Sequence, residues 1–311
     1  MNKKTSGPAI PGCSLCREPS VAFQKQNGRH LCGTHFTADI EQRVSDTITT
    51  RKMIVPGDQV AVALSGGKDS TALLLLMSRL LSQFADARLV ALTIDEGISG
   101  YREETIHSAE KLTAKLGIEH HSISFSELFG ESLDDILKGR ETQACSICGI
   151  LRKKALVVGA GRIGATKLAT GHNLDDEAQS VLMNVFRGDL PRLIRNSGMD
   201  SSGRFIPRIK PLFLISEKEI ALYLMIRNAW NVLPECPYTR FALRREVRSI
   251  LSGFEYNHPG TMLHLMESKE KIERYGKGSV LSEPLRSCRE CGDPCSGDLC
   301  QVCLLRQSLD R

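Results

Sequence analysis

Between residues 59 and 186 the chain alternates short apolar runs with longer stretches whose apolar residues recur at helical spacing. The apolar runs predict strands over 59–64, 88–94, 118–124 and 167–170. The longer stretches predict helices over 71–84, 103–116, 149–163 and 175–186. Strands and helices in strict alternation imply an α/β fold, a doubly wound parallel sheet with ligands at the carboxyl ends of its strands. The longest apolar run, residues 72–77, is far too short to span a bilayer. The start of the chain carries charge with no apolar stretch behind it, so a cytoplasmic protein with no membrane partner is expected.

Composition adds one departure from the ordinary. With 41% hydrophobic and 25% charged residues the chain is globular, and 311 residues suffice for a substantial core. Its net charge of +5 is too small to establish a polyanionic partner. The eleven cysteines, however, are many for a reducing compartment, where spacing favours metal or thiol chemistry over disulfides. Cys13 and Cys16 with Cys32 and His35 supply three thiolates and an imidazole as two short pairs. Cys288 and Cys291 with Cys300 and Cys303 supply four thiolates. Both are donor sets for a closed tetrahedral zinc site, set in segments too polar to fold without the ion. Two Zn²⁺ are therefore expected, with Cys295 an alternative ligand in the tail and His30 a weaker competitor for His35.

Between the first strand and its helix lies Ser65-Gly66-Gly67-Lys68-Asp69-Ser70. Two glycines there let backbone N–H groups approach a phosphate, and the helix N-terminus adds its dipole. Lys68 can neutralise phosphate oxygens and Asp69 can hold Mg²⁺. The spacing is not that of a Walker loop; the hexapeptide resembles the pyrophosphate loop of ATP pyrophosphatases. Thr170-Gly171-His172-Asn173-Leu174-Asp175-Asp176-Glu177 opens another helix at another strand end. Acidic residues in a first helical turn are ordinary, but beside the loop Asp176 is a candidate second metal or catalytic carboxylate. Cys145 and Cys148, expected just ahead of a helix, and the distant Cys236 form a set of three. Three thiolates leave any metal an open position, which fits an iron–sulfur cluster. A redox pair with a resolving thiol able to carry a persulfide, and inert cysteines, are the alternatives.

These elements together resemble the tRNA uridine 2-thiolation enzymes of the TtuA and cytosolic thiouridylase subunit 1 (NcsA-like) group, within the PP-loop ATP pyrophosphatases. The resemblance rests on residues 65–70, Ile94-Asp95-Glu96-Gly97-Ile98-Ser99-Gly100-Tyr101-Arg102, Cys145-Ser146-Ile147-Cys148-Gly149, Gly171-His172-Asn173-Leu174-Asp175-Asp176, Cys236 and both terminal clusters. It implies a zinc finger and linker helix over 1–50, a catalytic domain with a helical tRNA-binding extension over 51–284, and a second zinc finger over 285–311. It implies ATP and Mg²⁺ at Ser65, Gly66, Gly67, Lys68, Asp69 and Ser70, with Ala63, Ile94, Gly171 and His172 completing the nucleotide site. Cys145, Cys148 and Cys236 would ligate a 4Fe-4S cluster. Lys68, Asp69, Asp176 and Arg152 would be the catalytic charges, Arg152 standing where relatives carry lysine.

The implied reaction adenylates the uracil 2-oxygen and replaces it with sulfur, at the wobble uridine or alternatively at the T-loop uridine. Sulfur would come from a ubiquitin-like carrier or free sulfide, and the enzyme would act as a homodimer. Two basic runs, Arg187, Arg192, Arg195, Arg204, Arg208 and Lys210, then Arg240, Arg244, Arg245 and Arg248, are either solvated faces or grips for tRNA phosphates. A zinc- and RNA-binding redox sensor without turnover is the other class of function; an intact phosphate loop argues against it.

Overall fold

The computed structural model describes residues 10–25, 27–194, 206–241, 244–276 and 286–309. A two-stranded ribbon, β1 (Ala22–Gln24) and β2 (Arg29–Leu31), leads into α1 (Gly33–Thr50). The central elements follow as β3 (Gln59–Ala63), α2 (Lys68–Leu80), β4 (Arg88–Asp95), α3 (Arg102–Leu116) and β5 (Glu119–Ser124). After the short α4 (Phe125–Phe129) and α5 (Leu133–Ile136) come α6 (Ala144–Arg162), β6 (Lys167–Ala169) and α7 (Leu174–Phe186). Then come α8 (Leu190–Ile194), β7 (Arg208–Ile209), α9 (Glu217–Ile226), α10 (Arg244–Asn257) and α11 (Thr261–Tyr275). The ribbon of β8 (Arg286–Ser287) and β9 (Pro294–Cys295) and the helix α12 (Gln301–Leu309) close the chain.

β3 to β7 form one parallel sheet in the order β5-β4-β3-β6-β7. The expected doubly wound architecture is therefore present. The chain winds outward from β3 to β5 and then returns to β3's other side with β6. That reversal opens a crevice at the carboxyl ends of β3 and β6, where doubly wound sheets bind ligands. β3 reads as an unbroken apolar run because both faces are covered, with Val60, Ala61 and Val62 fully buried.

Each face has its own core. On one, α1, α2 and α9 bury Ile40, Val44, Ile48, Leu73, Leu74, Ile220 and Tyr223 against the sheet. Cys13 and Cys32 belong to that same cluster, so the amino-terminal module shares a core with the sheet. On the other face α5 and α6 bury Leu133, Ile147, Leu151 and Ala155, and Val302 and Leu305 of α12 pack onto them. The tail module thus leans on α6. The boundary expected at 284/285 lies outside the described residues.

Two sequence expectations shift. The helix expected over 71–84 begins inside the phosphate loop at Lys68 and stops at Leu80, passing into a 3-10 turn over Leu81–Gln83. The helix expected from 149 starts at Ala144, so Cys145 and Cys148 lie within its first turns rather than ahead of it. Ala144, Ile147, Cys148 and Leu151 form a buried stripe at i, i+3, i+4 and i+7, which supplies the missing turn. Gly149 is tolerated inside it because it faces open space.

Candidate active site and metal centres

In the amino-terminal cluster the donor atoms of Cys13, Cys16, Cys32 and His35 all lie within 4.8 Å of one another. His35 Nδ1 is 3.5 Å from Cys13 Sγ and 3.3 Å from Cys32 Sγ. His30 is not part of the set; its ring stacks on Phe23 with centroids 4.6 Å apart. The tail quartet of Cys288, Cys291, Cys300 and Cys303 satisfies the same 4.8 Å limit. Backbone N–H groups of Cys291 and Cys300 hold the Cys288 thiol down to about 6, while burial and the neighbouring thiols raise Cys291 and Cys303, so these sulfurs titrate together rather than singly. Cys295 stands outside the quartet and donates to Gly297 O at 3.1 Å. Both donor sets suit a single tetrahedral ion of zinc type.

The phosphate loop is shaped by its first glycine. Gly66 sits at φ +84°, and a Cβ there would meet the backbone carbonyl oxygen of Thr105 on α3 at 2.1 Å. Only glycine lets the loop pass that close. Ser70 Oγ donates to Gly67 O at 3.0 Å and lies 3.1 Å from Ser65 Oγ, tying the loop to the first turn of α2. Gly67 occupies the cap position and no side chain caps α2, so its first N–H groups face the crevice. Lys68 Nζ bridges Asp69 Oδ2 and Glu217 Oε1, each at 2.9 Å. Ala63 and Ile94 lie at the carboxyl ends of β3 and β4.

From the neighbouring strand end, Asn173 Nδ2 donates to Asp69 Oδ1 at 2.9 Å. Gly171 runs so close to Asp69 and Ser70 that a Cβ would lie 3.0 Å from their backbone atoms. His172 Nδ1 is 2.9 Å from Thr170 Oγ1. Asp176 closes a capping box with Asn173 at the start of α7 and faces Arg244 Nη1 at 3.6 Å. The loop after β3 and the loop after β6 thus converge in one crevice, as their sequences predict.

The three central cysteines also converge. Cys148 is buried on α6, and burial pushes its thiol up to about 11, with the charges of Arg152, Glu96, Cys236 and Cys145 all acting on it. Exposed Cys145 donates to Tyr238 O at 3.8 Å, and Cys236 immediately precedes the 3-10 turn Pro237–Phe241 that packs on α6. The trio is not among the sets closed to 4.8 Å. Wider separation suits a group of several irons better than a single ion, and with no fourth thiol beside the three among the described residues such a group would keep one iron open.

Joining the two sites are residues to which the sequence assigned no individual role. Glu96 is buried and meets Arg102 Nε at 2.7 Å with one oxygen and Arg152 Nε at 2.6 Å with the other. Arg102 donates onward to Ser65 O at 3.0 Å and Thr105 Oγ1 at 2.8 Å, and also to Ile94 O. Arg152 Nη2 donates to Cys148 Sγ at 3.2 Å. A charged pair in a loop sequence looks solvated; only burial separates Glu96 and Arg102 from ordinary surface residues. Glu217 was likewise missed, its single signal being a helix-opening acid after Ser216.

Of the basic runs, Lys210 pairs with Glu177 at 2.7 Å, Arg192 with Asp189 at 3.2 Å and Arg248 with Glu217. Arg195 and Arg204 lie outside the described residues. Part of the apparent excess charge is therefore internally matched. A cavity of about 350 Å³ lined by Glu119, His121, Glu127 and Arg162 lies at the amino edge of the sheet, remote from this chemistry. No helix among the described residues is long and apolar enough to cross a membrane.

A family model described as a PP-loop domain matches residues 35–250, and one described as the 2-thiouridine synthetase TtuA N-terminal LIM domain matches residues 13–37. The chain is 36% identical over 321 aligned residues to the tRNA 2-thiolation protein NcsA of Haloferax volcanii, spanning 96% of this chain and 99% of that one. It is 36% identical to the cytoplasmic tRNA 2-thiolation protein 1 of Caenorhabditis elegans, over 100% of this chain and 83% of that one. Among solved structures it is similar to the U34-tRNA thiolase NcsA from Methanococcus maripaludis with its 4Fe-4S cluster. There the TM-score is 0.83 and the identity 32%, with 96% of each chain covered.

Proposed function

Since the chain belongs to the PP-loop family of tRNA 2-thiolation proteins, we propose that it is an ATP-dependent tRNA uridine 2-sulfurtransferase acting at the wobble uridine. The observation that carries this reading is the juxtaposition of a phosphate loop and a three-thiol centre on either side of one buried carboxylate, Glu96. A nucleotide site alone would serve any adenylating enzyme, and thiols alone any redox protein. Together they serve a reaction that activates an oxygen and then delivers sulfur.

The open N–H groups at the start of α2 and the ammonium of Lys68 take the ATP phosphates. Asp69 and Asp176 would hold Mg²⁺, which neutralises phosphate charge. With the triphosphate so fixed, the uracil 2-oxygen attacks the α-phosphorus and pyrophosphate leaves. A sulfide equivalent then adds to C2, and AMP departs carrying the former carbonyl oxygen. Cys145, Cys148 and Cys236 would hold a 4Fe-4S cluster, whose iron without a protein thiolate supplies a soft site for that sulfide. Arg152, beside Cys148, lies where negative charge arrives with sulfur. Zinc at each end would be structural, since each quartet leaves no open position. A single-stranded anticodon loop gives such a site access to a base edge.

The wobble assignment is supported by the likeness to the U34-tRNA thiolase of Methanococcus maripaludis, and the T-loop alternative by the TtuA family match of residues 13–37. Anaerobically reconstituted protein, given ATP, sulfide and unmodified tRNA, should yield 2-thiouridine, located by mass spectrometry of nuclease fragments. Lys68→Ala should abolish product while tRNA binding survives, and Cys145→Ala should abolish product with loss of iron. Absence of thiolated nucleoside from wild-type protein under these conditions overturns the reading.

A further inference from the structure

We propose that Glu96 is a positioning residue that aims Arg152 at the sulfur centre, an assignment that rests on the thiolation reading above. Glu96 is 3% exposed and lies in the loop after β4, with one guanidinium on each carboxylate oxygen. Two cations share one anion, so the group keeps a net positive charge beside three thiols. Tyr101 borders it, its phenol raised above the ordinary value by burial, with Cys236 and Glu96 adding to the shift and Arg102 and Arg152 opposing it.

The two arginines do not depend on Glu96 equally. Arg102 meets Glu96 as an ion pair without a hydrogen bond and donates instead to Ser65 O, Thr105 Oγ1 and Ile94 O, two of them backbone carbonyls at the nucleotide end. Its place is secured without the carboxylate. Among the described residues the ion-pair and hydrogen-bond partners of Arg152 are Glu96 and Cys148 Sγ, with Tyr101 near enough to interact electrostatically, and its side chain is 46% exposed. A long, half-exposed side chain on one helix face samples many rotamers unless a buried anchor selects one. Glu96 is that anchor: it holds the Nε edge and leaves the Nη2 edge directed at sulfur. Loss of its charge therefore releases Arg152 while the phosphate loop stays in place.

This asymmetry sets the test. Glu96→Gln keeps the side chain's size and one acceptor oxygen, so the fold should persist. In single-turnover thiolation by reconstituted enzyme its rate should fall about 10- to 100-fold, the scale of a misplaced catalytic group. The KM for ATP, and the Kd for ATP measured by calorimetry on cluster-free protein, should both stay within about twofold, a split that general loosening of the site would not give. Glu96→Gln should add no further loss to Arg152→Met, because both remove the same function. Glu96→Asp, which shortens the anchor but keeps its charge, should recover part of the rate. Multiplying losses in the double variant, or ATP affinity falling in step with rate, would overturn the proposal. Failure of the wild-type enzyme to thiolate would instead overturn the function on which it rests.

Discussion

Gly66→Ala tests whether the phosphate loop owes its form to contact with α3. Two costs combine. Gly66 lies at φ +84°, where a non-glycine residue costs about 1–2 kcal/mol. The added Cβ would also stand 2.1 Å from Thr105 O and 2.8 Å from Thr105 C, both backbone atoms inside a helix that cannot rotate aside. Overpacking of that kind costs about 1–3 kcal/mol after relaxation. Together these give about 2–5 kcal/mol, or roughly 4–10 °C in Tm at about 2 °C per kcal/mol for a chain of this size. Gly67→Ala is the internal control, because Gly67 has an ordinary φ of −69° and its nearest neighbour would be Ser65 Oγ at 3.4 Å. Differential scanning calorimetry and ATP titration read both variants. Gly66→Ala should lower Tm by that amount and weaken ATP binding at least about tenfold, with Gly67→Ala melting near wild type. A Gly66→Ala protein that melts within about 1 °C of wild type and binds ATP normally would refute the reasoning.

Three other outcomes follow from the structure. Ile48→Ala empties a fully buried position on α1 and should cost about 2–5 kcal/mol, shifting one cooperative calorimetric transition because α1 and the sheet share a core; a separate early transition would contradict the shared core. Cys288→Ser should reduce zinc from two ions to one per chain by plasma emission analysis, and unchanged stoichiometry would remove the tail site. His120 is half-buried with Nε2 2.7 Å from Thr93 Oγ1, and burial, aided by the charge of His121 against that of Glu110, holds it below its ordinary 6.5. The unfolded chain then binds the extra proton below about 6.5, so stability rises with pH through that window and is lost as pH falls; His120→Gln should flatten the rise of Tm between about pH 5 and 7.

Four of the five sheet strands were legible because they announce themselves locally, as apolar runs set between turns and helical periods; β7, only two residues long, leaves no such run and was missed. The crevice was legible for the same reason, since both of its loops follow a strand and open a helix. The start of α6 was not, because no N-cap residue marks Ala144 and Gly149 looks like a boundary when its solvent-facing position is unknown. Nor was the role of Glu96, Arg102 or Glu217. Their chemistry is set by burial and by partners brought from other elements, such as the 2.9 Å contact of Glu217 with Lys68, and charge patterning along the chain holds no record of either. The asparagine at position 173 shows both sides: its capping role follows from its place in the motif, its bond to Asp69 only from the meeting of two loops.

The tail module does not merely end the chain. Lys154 of α6 pairs with Asp293, which sits between Cys291 and Cys295, while Arg140 donates to Leu309 O at 3.3 Å and Val302 and Leu305 press on the apolar face that carries Cys148. The segment that carries the four tail thiols therefore also braces the helix from which two of the central thiols project. That coupling makes the tail a buttress for α6, so a change that loosens the last twenty residues is transmitted along this helix to Cys145 and Cys148 rather than staying at the end of the chain.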